Sequence, residues 1–107
     1  MRECQRSVSR FVEWHRLKAP VQTRLLDLVS EVGELAKEVL VATAYGHRSF
    51  EPTDGWKREL GDALFSLICV ANCTDVDLEM ALEGAMKKYA QRLADSGGAG
   101  SRDACRS

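Results

Sequence analysis

The run Ala63-Leu64-Phe65-Ser66-Leu67-Ile68-Cys69-Val70-Ala71 is apolar nearly all round when wound into a helix. Such a helix has no face to offer water and must be covered on more than one side. The chain has 107 residues, which is room for one domain with a small core. No segment alternates with the period of a strand over a useful length, so the cover must come from other helices. The expected fold class is all-α, a four-helix bundle. In so short a chain the second cover for this helix is expected from another copy, giving a homodimer or a dimer of dimers.

Apolar spacing and punctuation place the four helices. The first spans about residues 3–17, with Val8, Phe11, Val12 and His15 on one face. Pro20 opens the second, where a proline suits the first turn. Leu25, Leu28, Val29, Val32, Leu35, Ala36, Val39 and Leu40 then recur at helical spacing to about Thr43. Residues 44–55 contain Gly46, Pro52 and Gly55 and read as a loop. Thr53 or Asp54 caps the third helix, from Trp56 to about Cys73, and Asp75 or Asp77 caps the fourth, to about Ala94. The domain is therefore expected over residues 1–95. Residues 96–107, rich in glycine and serine at their start, are expected to be a disordered tail.

Charge and composition exclude several classes of function. The formal net charge is -1, so no global field draws nucleic acid or a membrane surface. No run approaches the ~18 apolar residues that a bilayer span requires. The segment Met1 to Arg6 is polar, which predicts a cytoplasmic protein. Cys4, Cys69, Cys73 and Cys105 show no Cys-x-x-Cys pair and no histidines at zinc spacing, so they are expected to be reduced thiols.

The chemistry is expected from two segments that echo each other. Glu31-Val32-Gly33-Glu34 lies in the second helix and Glu59-Leu60-Gly61-Asp62 in the third. Acids three apart share a helix face, one turn above each other. Glu38 extends the first row by another turn. Like charges on one face and a glycine inside a helix both cost stability. Defects that coincide in this way are expected at functional sites. The glycines are expected to let the two helices approach closely, so that the acids converge across the gap. An all-oxygen donor set favours magnesium, with manganese able to substitute, over zinc, copper or nickel. The bland alternative is a solvated acidic face. Asp62 weighs against it, because its neighbours Leu60, Ala63, Leu64 and Phe65 are apolar.

These residues carry a resemblance. Ser30-Glu31-Val32-Gly33-Glu34-Leu35-Ala36-Lys37-Glu38, followed by Glu59-Leu60-Gly61-Asp62-Ala63-Leu64-Phe65, is similar to the MazG-like family of all-α nucleoside triphosphate pyrophosphohydrolases. The family signature is Glu-Glu-x-x-Glu, a spacer, then Glu-x-x-Asp, and Ser30 departs from its first position. The resemblance implies cleavage of a nucleoside triphosphate between the α and β phosphates, giving the monophosphate and pyrophosphate. It implies Glu31, Glu34, Glu59 and Asp62 as metal ligands. Lys88 and Arg92 resemble a Lys-x-x-x-Arg pair that meets phosphates, although a basic last turn favoured by the helix dipole explains them equally well. Trp14 and His15 resemble base-contacting residues of related dCTP pyrophosphatases, with packing as the alternative for Trp14. Asn72 could read a base edge or serve as a helix-end hydrogen-bonder.

The triphosphate is itself anionic, so metal must neutralise it before the acids can tolerate it. Glu34 or Glu38 is the candidate to accept the proton of the attacking water. The rival readings are a non-catalytic helical interaction module and a narrower phosphohydrolase acting on dUTP, dCTP or phosphoribosyl-ATP. House-cleaning of the nucleotide pool is expected by analogy with the family.

Overall fold

A computed structural model describes residues 1–97. Among them there are four helices and no strand: α1 (Arg2–Trp14), α2 (Val21–Ala42), α3 (Asp54–Cys73) and α4 (Leu78–Ser96). The expected tail lies outside the described residues except for Ser96, which belongs to α4, and Gly97, whose left-handed backbone closes that helix. The chain divides into two compact units, Met1–Val76 and the segment from Asp77 onward.

In the first unit α2 and α1 both pack against α3. The residues most withdrawn from water, Ile68, Cys69, Ala71 and Ser66, all belong to α3. Much of the apolar belt is thus already covered within one chain. A T-shaped contact between Phe11 and Phe65, with ring centroids 6.0 Å apart, fastens α1 to α3. Gln5 ties the start of α1 to the end of α3. Its side-chain Nε2 donates to Asn72 Oδ1 at 3.0 Å and to the Val76 carbonyl at 2.8 Å. Asn72 Nδ2 donates back to the Gln5 carbonyl at 3.0 Å.

The helix ends follow local chemistry. Thr53 caps α3 by accepting from the Trp56 N–H at 3.1 Å, and Asp77 caps α4 by accepting from the Met80 N–H at 3.1 Å. Pro20 stands at the N-cap of α2, one residue outside the helix. Gly55 falls in the first turn of α3 rather than in the loop.

The C-termini of the first three helices share one device. Leu17 N donates to Val12 O and Arg16 N to Glu13 O; Tyr45 N to Leu40 O and Ala44 N to Val41 O; Val76 N to Ala71 O and Asp75 N to Asn72 O. This is the Schellman pattern, and each time the residue past the cap is left-handed without being glycine: Arg16, Ala44 and Asp75. For that reason α1 ends at Trp14 and not at Leu17. It also places Asp75 at the end of α3, leaving Asp77 to cap α4.

The second unit contains α4, which presents Lys88 and Arg92 over the ring of Tyr89, at 4.9 and 5.7 Å from its centroid. No helix of the described residues is long and apolar enough to cross a membrane.

Candidate metal centre

Helical periodicity puts Glu31 on the side of α2, and Glu59 and Asp62 on the side of α3, from which the carboxylates meet. One oxygen from each lies within 4.8 Å of the others. Glu31 and Glu59 are half-buried and Asp62 is exposed. Among the described residues no lysine or arginine forms an ion pair with any of the three; the surface pair Glu3–Arg6 lies on α1. Partial burial pushes the Glu59 carboxyl above its usual range. A hydrogen bond with Glu31 and the charges of Asp62, Glu31 and Glu34 push it in the same direction. The cluster is therefore a concentration of negative charge that the protein leaves uncompensated. Its donors are all oxygens, the set that a hard divalent cation takes.

The other expected site residues take different places. Glu34 is exposed, one turn along α2 from Glu31 and outside the converging three, although its charge reaches Glu59. Glu38 stands two turns from Glu31, about 10 Å along the axis. There the Thr53 hydroxyl donates to Glu38 Oε2 at 3.4 Å, and the carboxylate lies against Gly55 at the start of α3. A carboxylate at a helix N-terminus is favoured by the helix dipole, so Glu38 serves to join α2 to α3. Trp14 is 83% exposed at the end of α1. His15 packs its ring on Phe11, with centroids 4.4 Å apart. Cys4, Cys69 and Cys73 are free thiols, while Cys105 lies outside the described residues.

The expectation for the glycines is corrected. A Cβ added at Gly33 or Gly61 would meet nothing within 4 Å, so neither mediates a close approach within the chain. The reason is angular: a residue two after an acid sits about 200° around the helix from it. Close approach occurs at Gly55, where an added Cβ would stand 2.8 Å from a Glu38 oxygen. The Gln5–Asn72 clamp is a second feature absent from the sequence reading. Its partners are far apart along the chain, and no spacing rule links them.

Fold and site together define an all-α protein with an acidic cluster shared between two helices. Residues 20–95 match the family described as the MazG nucleotide pyrophosphohydrolase domain, and the chain belongs to that family. It is also similar to the uncharacterized protein YpjD of Bacillus subtilis (strain 168). The two are 35% identical over 96 residues, which cover 87% of this chain and 82% of YpjD. No solved structure matches the chain.

Proposed function

We propose that this protein hydrolyses nucleoside or deoxynucleoside triphosphates between the α and β phosphates, consuming one water and releasing a nucleoside monophosphate and pyrophosphate. The observation that carries the reading is the convergence of Glu31, Glu59 and Asp62 without a compensating side-chain cation. Membership of a nucleotide pyrophosphohydrolase family supports it. Glu31, Glu59 and Asp62, joined by Glu34, would hold magnesium, or manganese in its place. Bound metal would neutralise the phosphates and favour ionisation of the attacking water. Glu34 is the better placed residue to accept the water's proton, because the Glu38 carboxylate is engaged by Thr53. Lys88 and Arg92 are assigned to the phosphates by the chemistry of their cationic pair, and Trp14 to the base by its exposed ring.

The proposed assembly is a homodimer or a dimer of dimers, completing a bundle. Leu26, Val29 and Val32 on α2, and Leu60, Leu64 and Leu67 on α3, are exposed in the single chain, an apolar surface that a second copy would cover. House-cleaning of the nucleotide pool is the proposed task.

The test is pyrophosphate release from a panel of common ribo- and deoxyribonucleoside triphosphates, with and without magnesium. Magnesium-dependent release of equimolar monophosphate and pyrophosphate is expected from at least one of them. Release of inorganic phosphate alone, or no release from any nucleotide, would overturn the reading.

A further inference from the structure

The residues of α3 that meet α2 form one stripe. Gly55 lies against Glu38, Glu59 and Asp62 converge with Glu31, and Cys69 and Cys73 share the wall of a cavity of about 300 Å³ with Arg24. The two helices therefore run antiparallel. Positions 55, 59, 62, 69 and 73 belong to a series whose steps alternate between four and three, the spacing that keeps one helix face. The member that completes it is Ser66, two turns beyond Glu59 and one turn beyond Asp62. Ser66 is 7% exposed, and among the described residues no other polar residue is buried. Its place in the stripe means that α2 is what covers it.

The hydroxyl of Ser66 is unused. Thr43, Thr74 and Ser96, each at a helix end, donate to the carbonyl four residues back. Ser66 makes no such bond, and its hydroxyl has no hydrogen-bond partner among the described residues. No side-chain oxygen there that is fully withdrawn from water lacks a partner, so the small part of Ser66 that stays accessible includes its oxygen. It does not open into the cavity beside Cys69. Cα–Cβ bonds tilt toward the N-terminus of a helix, so the oxygen leans toward the turn that carries Asp62.

The acidic cluster needs a donor of this kind. Ionised carboxylates only accept, and no lysine or arginine pairs with the three among the described residues. Carboxylates that hold a cation are normally fixed by hydrogen bonds from a surrounding shell, and they bind less tightly without them. Asp62 is the acid within reach, because residues four apart on a helix bring their Cβ atoms to about 5–6 Å. It is exposed and makes no side-chain hydrogen bond among the described residues, so no other group holds its orientation.

We infer that Ser66 is a positioning residue of the metal centre, its hydroxyl donating to the Asp62 carboxylate and holding it toward Glu31 and Glu59; the inference rests on the metal-dependent reading above. A small residue that only filled space between two helices would occupy the same position without needing its oxygen, and that difference is what an experiment can read.

Manganese binding to the full-length protein, measured from the paramagnetic resonance of the free ion, tests it. Ser66→Ala is expected to raise the manganese dissociation constant about tenfold or more, the loss that follows removal of an outer partner of a metal site. Its metal-free melt is expected at the wild-type temperature or above, because the hydroxyl it deletes has no partner to leave unpaired. Ser66→Thr keeps the hydroxyl and is expected to bind manganese closer to the wild type than to Ser66→Ala. If the added methyl prevents Ser66→Thr from folding, circular dichroism will show it and the Ser66→Ala result decides alone. Equal losses in folded alanine and threonine variants would overturn the inference, because the hydroxyl would then not be the cause. A wild type that binds manganese and releases pyrophosphate, with Ser66→Ala binding equally well, would overturn this inference alone. A wild type with no saturable manganese site would overturn the metal-dependent reading and this inference with it.

Discussion

Replacing Glu59 with glutamine separates a metal centre from a structural acidic network. Glu59 faces Glu31, Asp62 and Glu34, all acids, and no cation pairs with the converging three. The substitution lowers the formal charge of those three from -3 to -2 and keeps an N–H able to donate to Glu31. The metal-free variant is therefore expected to be as stable as the wild type or more so. Magnesium should act on the two proteins differently. A ligand that binds only the folded state at ten times its dissociation constant stabilises by about 1.4 kcal/mol. For a domain of this size that raises Tm by roughly 6–11 °C. Disturbing even an outer partner of a metal site weakens affinity 10–100-fold, so losing a ligand should cost at least about tenfold. At the same magnesium concentration the stabilisation then falls to about 0.4 kcal/mol, or roughly 2–3 °C. Paired thermal melts with and without magnesium read both effects, and pyrophosphate release is expected to be nearly abolished. A Glu59→Gln protein that is less stable without metal, or that magnesium protects like the wild type, would refute the reasoning.

Three further outcomes are expected. Leu67 is 40% exposed whereas Ile68 is 2% exposed, so Leu67→Glu should dissociate the proposed assembly into folded monomers, while Ile68→Glu should unfold the chain itself by burying an unpaired charge; sedimentation and circular dichroism distinguish the two. The raised Glu59 carboxyl means that the folded protein binds its proton more tightly than the unfolded chain, so its contribution to metal-free stability is present at low pH and is lost as pH rises from the ordinary glutamate range through the raised value; magnesium protection should grow over the same window, as melts across pH will show. Ala44→Gly should stabilise the protein by about 0.5–1 kcal/mol in denaturant titration, because Ala44 holds a left-handed backbone that glycine adopts without steric cost, and this outweighs the extra freedom of the unfolded chain; a loss of stability would contradict the described end of α2.

What the sequence by itself determined is local. Apolar spacing marks the four helices, Thr53 and Asp77 are typical cap residues, and acids three apart must share a face. These are properties of one backbone segment and its period, legible without any neighbour. The early end of α1 was less legible, because Arg16 takes the left-handed position that glycine would have advertised. What only the tertiary structure decided is which faces meet. The stagger of α2 on α3 brings Glu31 to Glu59 and Asp62 while leaving Glu34 outside, and it carries Glu38 on to Thr53 and Gly55 at the start of α3. The packing of α1 joins Gln5 to Asn72 and leaves a cavity beside them. Stagger and crossing angle are set by the sum of many weak side-chain contacts between segments distant in sequence. No single residue or spacing encodes that sum, so the acids are visible in the chain but their convergence appears only in the packed helices.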